Sequence, residues 1–109
     1  MIVYISIGNS DDKLSQAEWS TYLTQTDILL HDRQQSNDPD NPVLKRHGAW
    51  VSYPDDPWQN ACWCVEVEDA PDAIKELQDA LRGVAIGYRQ DSIAWAVVAE
   101  TEFLRGIDG

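Results

Sequence analysis

Three short polar stretches hold most of the side chains able to do chemistry: GNSDDK at 8–13, PDDPWQN at 54–60 and RQDS at 89–92. They offer the oxygens of Asn9, Ser10, Asp11, Asp12, Asp55, Asp56 and Asp91, with Lys13 and Arg89 as their cations. Oxygen-rich sets of this kind suit Mg²⁺ or Ca²⁺. The carboxylate spacing follows no metal-loop pattern, however, and neither a metal nor another cofactor is expected. A helix starting after GNSDDK would present free N–H groups to an anion, but Asp11 and Asp12 put negative charge at that same point. Arg89 and Asp91 suit an internal latch, to one another or to a neighbouring loop.

Nucleophilic catalysis has no ready assembly. His31 and His47 are the only histidines, and neither lies in the three stretches. A Ser-His or Cys-His pair therefore lacks its base. Cys62 and Cys64 are the only cysteines. On a strand they share a face, which suits neither an ordinary disulfide nor, as two ligands alone, a structural zinc site. They are expected to be reduced and partly buried. No residue is expected to be catalytic, and a binding protein is favoured over an enzyme.

Charge narrows the partners. Nineteen acids against eight bases give a net charge of −11. Such a chain repels phosphate backbones and anionic membranes and is drawn to basic surfaces. Direct nucleic-acid binding is not expected. No apolar run approaches the ~20 residues of a membrane span, and the beginning of the chain lacks a basic, signal-like region, so a cytoplasmic protein is expected.

The elements that must position these stretches follow from periodicity. Val3, Ile5 and Ile7 read as one face of a strand that is apolar on both sides, hence central. Ser15 and Glu18 have capping-box spacing. Behind them Trp19, Tyr22, Leu23, Thr26 and Leu30 predict a helix over 16–32. The 33–47 stretch reads as a long polar loop, with a short strand over 48–53. "ACWCVEVE" at 61–68 alternates Trp63, Val65 and Val67 against Cys62, Cys64 and Glu66, completing a hairpin. Asp69 is expected to cap a second helix with Pro71 in its first turn. Ile74, Leu77, Leu81 and Val84 form its inner stripe, and Gly87 its left-handed stop. A last strand is expected over 92–100, and 105–109 as a frayed tail. The whole chain, 1–109, reads as one domain.

The order β-α-β-β-α-β predicts an α+β fold of ferredoxin-like type. It would have a four-stranded antiparallel sheet, order 4-1-3-2, with two helices on one face. In that topology the three polar stretches converge on one rim. Trp19, Trp63 and Trp95 read as core. Trp58, inside PDDPWQN, is either a plug for the end of the core or an exposed anchor of the kind interfaces use. Acylphosphatases share the topology but carry an arginine in the loop after the first strand, where this chain has GNSDDK. Small RNA-binding sheets share it too, and −11 argues against that function.

The stretches GNSDDKLSQAEW, PWQNACW and YRQDSIAWAVVAETEFL resemble small proteins of actinobacteria and their phages to which no activity is attached. The resemblance implies an accessory role on a mobile element, where small acidic proteins act by binding and blocking. The leading expectation is thus a phage-type, anti-defence or host-takeover protein that inhibits a basic macromolecular partner. Asp11, Asp12, Asp55, Asp56, Trp58 and Asp91 would make that contact. The alternative is a nucleotide or small-molecule binding module, at most a weak hydrolase, using Asn9, Ser10, Gln59, Asn60, Arg89 and Ser92. Pairing of two copies through the open sheet face or an edge strand bearing Trp50 and Tyr53 is a third expectation.

Overall fold

A computed structural model describes residues 1–9, 13–34, 44–53, 59–100, 102, 104 and 106. The elements run β1 (Ile2–Gly8), α1 (Gln16–Gln34), β2 (Leu44–Val51), β3 (Asn60–Val67), α2 (Pro71–Gly87) and β4 (Ala94–Val97). They form an α+β domain whose open four-stranded sheet has the order β2-β3-β1-β4. All three pairings are antiparallel. This is the expected order read from the opposite edge, with the two most apolar strands in the middle.

The strands' two-residue period decides which face is covered. Val3, Ile5 and Ile7 of β1 and Ala61, Trp63, Val65 and Val67 of β3 point into one core. From α1 and the segment before it, Leu14, Trp19, Tyr22 and Leu30 enter the same core, as do Leu77, Leu81 and Ala85 of α2. Fully burying one Val, Leu or Ile side chain contributes about 1.5–3 kcal/mol, so this face carries most of the stability. Asp27 of α1 stitches helix to sheet: its Oδ1 accepts from Trp63 Nε1 at 3.0 Å and also from the Arg46 guanidinium. Arg46 N donates to Gln34 Oε1 at 3.0 Å, tying the end of α1 to β2.

The capping box closes as its spacing implies. Glu18 N donates to Ser15 Oγ at 3.1 Å, and Ser15 N donates to Glu18 Oε1 at 3.1 Å. Several boundaries differ from expectation. Residues 33–34 belong to α1 and 44–47 to β2, so both ends of the expected 33–47 loop are regular structure, and 35–43 lie outside the described residues. Lys45-Arg46-His47 looked like loop because a charged edge strand with a bulge lacks clean alternation. Leu44 is nevertheless buried opposite Val67, and the register shifts between Arg46 and Gly48. The last strand spans four residues, Ala94–Val97.

Both ends of α2 are also corrected. Its N-cap is Ala70, with no side-chain cap, rather than Asp69, and Pro71 opens the helix as foreseen. Ala85 is buried, whereas Ile74 and Val84 only pack against the core's margin. Gly87 has no positive φ; the left-handed residue is Arg89, at φ 59°. Arg89 N donates to Ile86 O at 3.0 Å and Gln90 N to Ala85 O at 2.9 Å. Those two bonds make a Schellman motif with arginine where glycine is usual.

Candidate functional site

The ends of β1 and α2 and the start of β3 meet at one rim. Asn9 N donates to Gln59 O at 2.8 Å, joining the first polar stretch to the second. Lys13 Nζ reaches Asp91 Oδ2 at 3.4 Å, and Arg89 donates to Lys13 O at 3.4 Å, joining the first to the third. The expected convergence of the three connections is therefore present among the described residues. Ser10, Asp11, Asp12, Asp55, Asp56 and Trp58 lie outside them.

Much of the rim's polarity is used internally. Asn9, buried, imitates a strand partner for Leu14: its Oδ1 accepts from Leu14 N at 3.0 Å and its Nδ2 donates to Leu14 O at 3.1 Å. The same Nδ2 donates to Gln59 Oε1 at 3.2 Å. Gln59 is buried as well and exchanges two bonds with Gln16, at 3.0 and 2.7 Å. These amides close the loop between β1 and α1, and their side-chain oxygens are already occupied. Asn60 N donates to Ser52 Oγ at 3.0 Å, which holds the end of the hairpin.

Arg89 is latched. Its guanidinium donates to Glu18 Oε2 at 2.8 Å, the same carboxylate that caps α1. The Arg89 guanidinium, helped by the Ser15 amide, holds the Glu18 carboxyl below its ordinary range. The latch expected for RQDS therefore exists, with Glu18 rather than Asp91 as the carboxylate partner of Arg89. Asp91 projects outward, its side chain 91% exposed. Ser92 is exposed beside it.

Beside this latch lies a feature that sequence reasoning missed. A cleft of about 280 Å³ opens between α2 and the approach to β4, walled by Leu81, Ala85, Ile86, Ile93 and Trp95. Gln78, Arg82, Gln90, Asp91 and Ser92 complete its lining. Across the 90–92 turn a second, shallower concavity of about 370 Å³ borders Ser6, Gly8 and Ala94. The sequence signal was Ile86, apolar yet off the inner stripe, and 74% exposed in the structure. Trp95, read as core, packs against the core's edge and forms part of this wall. Trp19 and Trp63 are core as expected.

On the far face of the sheet, Cys62 and Cys64 are free, partly buried thiols. His47 pairs there with Glu66 at 3.1 Å, and that contact holds the Glu66 carboxyl low. Among the described residues no cluster of three His, Cys, Asp or Glu side chains is placed to hold a metal ion. None of their helices is long and apolar enough to cross a membrane. Neither the protein-family models nor the curated proteins compared with this chain match it.

Proposed function

We propose that this is a small acidic accessory protein, of the phage or mobile-element kind, that binds and blocks a basic surface of another macromolecule in the cytoplasm without catalysing a reaction. One observation carries the reading: every described arginine is already committed to a carboxylate of its own chain. Arg33 pairs with Glu76, Arg46 with Asp27, Arg82 with Asp79 and Arg89 with Glu18. Glu68, Asp69 and Asp72, by contrast, are exposed and form no ion pair with a described residue. The molecule therefore offers a partner its anions and little of its cationic charge. Exposed charge pairs across such an interface act within about 10 Å at ~0.1 M salt, which speeds encounter and selects basic surfaces. In this reading the rim aspartates Asp11, Asp12, Asp55, Asp56 and Asp91 make the contact around Trp58. The sheet order and the β-α-β-β-α-β sequence of elements support a ferredoxin-like assignment.

The test is capture of a partner from host lysate by the native chain, by a form with those five aspartates changed to asparagine, and at low and high salt. A basic protein retained by the native chain, and lost with the asparagines and in high salt, supports the proposal. Capture that survives both changes, or no capture, sinks it.

A second reading rests on the cleft beside α2. Its apolar walls, with two amides, a hydroxyl and the charged Arg82 and Asp91 also in the lining, have the make-up of small-ligand sites. A flat, uncharged ring of nucleobase size would stack on Trp95 and bond Gln90 and Ser92. The commitment of Asn9, Gln59 and Arg89 to internal bonds weighs against the wider rim site. A thermal shift with nucleosides, abolished by Ile86→Lys, would favour this reading over the first.

A further inference from the structure

No described element packs on the face of the sheet away from the helices, and its side chains form a grid set by strand register. One row runs Gly48, Cys64, Tyr4, Ala96 across β2, β3, β1 and β4. The next runs Trp50, Cys62, Ser6, Ala94. Neither row holds a charge. Tyr4 is 43% exposed and Trp50 58%, large fractions for aromatics near the middle and edge of a sheet. Beside these rows Lys45 faces Glu66, and Glu66 also takes His47.

Two features point to what covers this face. First, a molecule of net charge −11 repels its own copies wherever carboxylates meet. The two central rows carry no charged side chain, so a second copy approaches them without that penalty. Second, the relief complements itself. The tall residue Trp50 stands on β2 at one side, the small Ala94 and Ala96 on β4 at the other, and nothing lies within 4 Å above Gly48. A two-fold axis along the strands, between β1 and β3, exchanges the two sides. It sets Trp50 of each copy over Ala94 of the other and Tyr4 over the gap beside Cys64 and Gly48. Face-to-face sheets pack in this aligned manner, about 10 Å apart. An isologous interface needs such a self-matching patch.

We propose that the open sheet face is a homodimer interface and that a second copy of this chain covers it. The aromatics also look like a stacking platform for single-stranded RNA. Such platforms work with a cationic groove, and Lys45 is the one described lysine or arginine pointing from this face. The dimer reading is independent of the basic-partner proposal.

Sedimentation velocity over a concentration series tests it, in low and high salt. The native chain is expected to double in mass with concentration, and more readily in high salt, where repulsion between copies is screened. That salt response is opposite in sign to the one expected for a basic partner, so either idea can fail alone. Trp50→Glu or Tyr4→Glu should weaken association roughly thirtyfold, the scale of a central interface aromatic. Ala94→Arg, exposed on the opposite strand, should do the same if Trp50 seats there. Circular dichroism checks that each variant is folded. A chain that stays monomeric at high concentration in both salts overturns the proposal. So does a dimer indifferent to all three substitutions, or a monomer whose tryptophan fluorescence is quenched by single-stranded RNA.

Discussion

Arg89 occupies the left-handed region at φ 59°, a conformation that costs a non-glycine residue about 1 kcal/mol. Glycine at this position would relieve the backbone and lose the latch to Glu18 and Lys13 O. Arg89→Gly is therefore expected to leave the melting temperature unchanged or slightly raised. Arg89→Ala keeps the strain and loses the latch, so it should melt slightly lower than the native chain and lower than Arg89→Gly. In both variants the Glu18 carboxyl should titrate closer to its ordinary range, which a carboxylate NMR titration reads. Equal melting of the two would mean that the strain is not felt. Tyr22 is the other unusual residue: it stacks on Tyr88, and its buried hydroxyl has no hydrogen-bond partner among the described residues. A buried unsatisfied hydroxyl costs about 1–3 kcal/mol, so Tyr22→Phe should raise the melting temperature, by roughly 4 °C or more. Burial also pushes the Tyr22 phenol from 10.0 up to about 12. Between those values the folded chain keeps a proton that the unfolded chain has lost. That contribution to stability is complete below pH 10.0 and declines as pH rises to about 12. Tyr22→Phe should flatten the decline in alkaline denaturant titrations, and an unchanged slope would assign it elsewhere.

At the scale of elements, local signals worked where one chemical device fixes a boundary. Ser15 and Glu18 announced the start of α1, and both reciprocal bonds form. Ser15→Ala should cost about 1 kcal/mol, the usual worth of such a cap, read as a lower urea midpoint with unchanged slope. Because Glu18 also receives Arg89, Ser15→Ala combined with Arg89→Ala should deviate from additivity. Strict addition would show that cap and latch act separately. Local signals failed where tertiary contacts override composition. Leu44 reads as one apolar residue in a polar run, yet it is buried against β3 and carries Lys45 and Arg46 into the ladder, with His47 at the bulge. Asp69 has the chemistry of a cap, but the helix starts one residue later than a cap at 69 would require. Gly87 has the composition of a stop and is the last residue of α2, but Tyr88 is the C-cap and the left-handed turn falls two residues later, at Arg89.

For the molecule as a whole, charge is the dominant global property. With −11 distributed over a small domain, screening self-repulsion outweighs weakening its exposed ion pairs, each of which contributes little. Moderate sodium chloride is expected to raise the melting temperature by a few degrees in calorimetry. A steady fall with added salt would show that the surface pairs matter more than the net charge. Several properties were set by residue order alone: the element types, the strand order, the covered face and the meeting of three polar connections at one rim. Two-residue and helical periodicities are local, and short connections leave few ways to close an antiparallel sheet. Other properties needed the fold. Which polar groups remain available depends on partners far away in sequence: Asn9 and Gln59 look like ligand-binding amides until they are seen bonding one another, 50 residues apart. The cleft at Trp95 and the uncharged grid around Tyr4 and Trp50 likewise exist only when separate strands and a helix are brought side by side. Concavity and surface charge balance are sums over distant residues, and no window of sequence contains them.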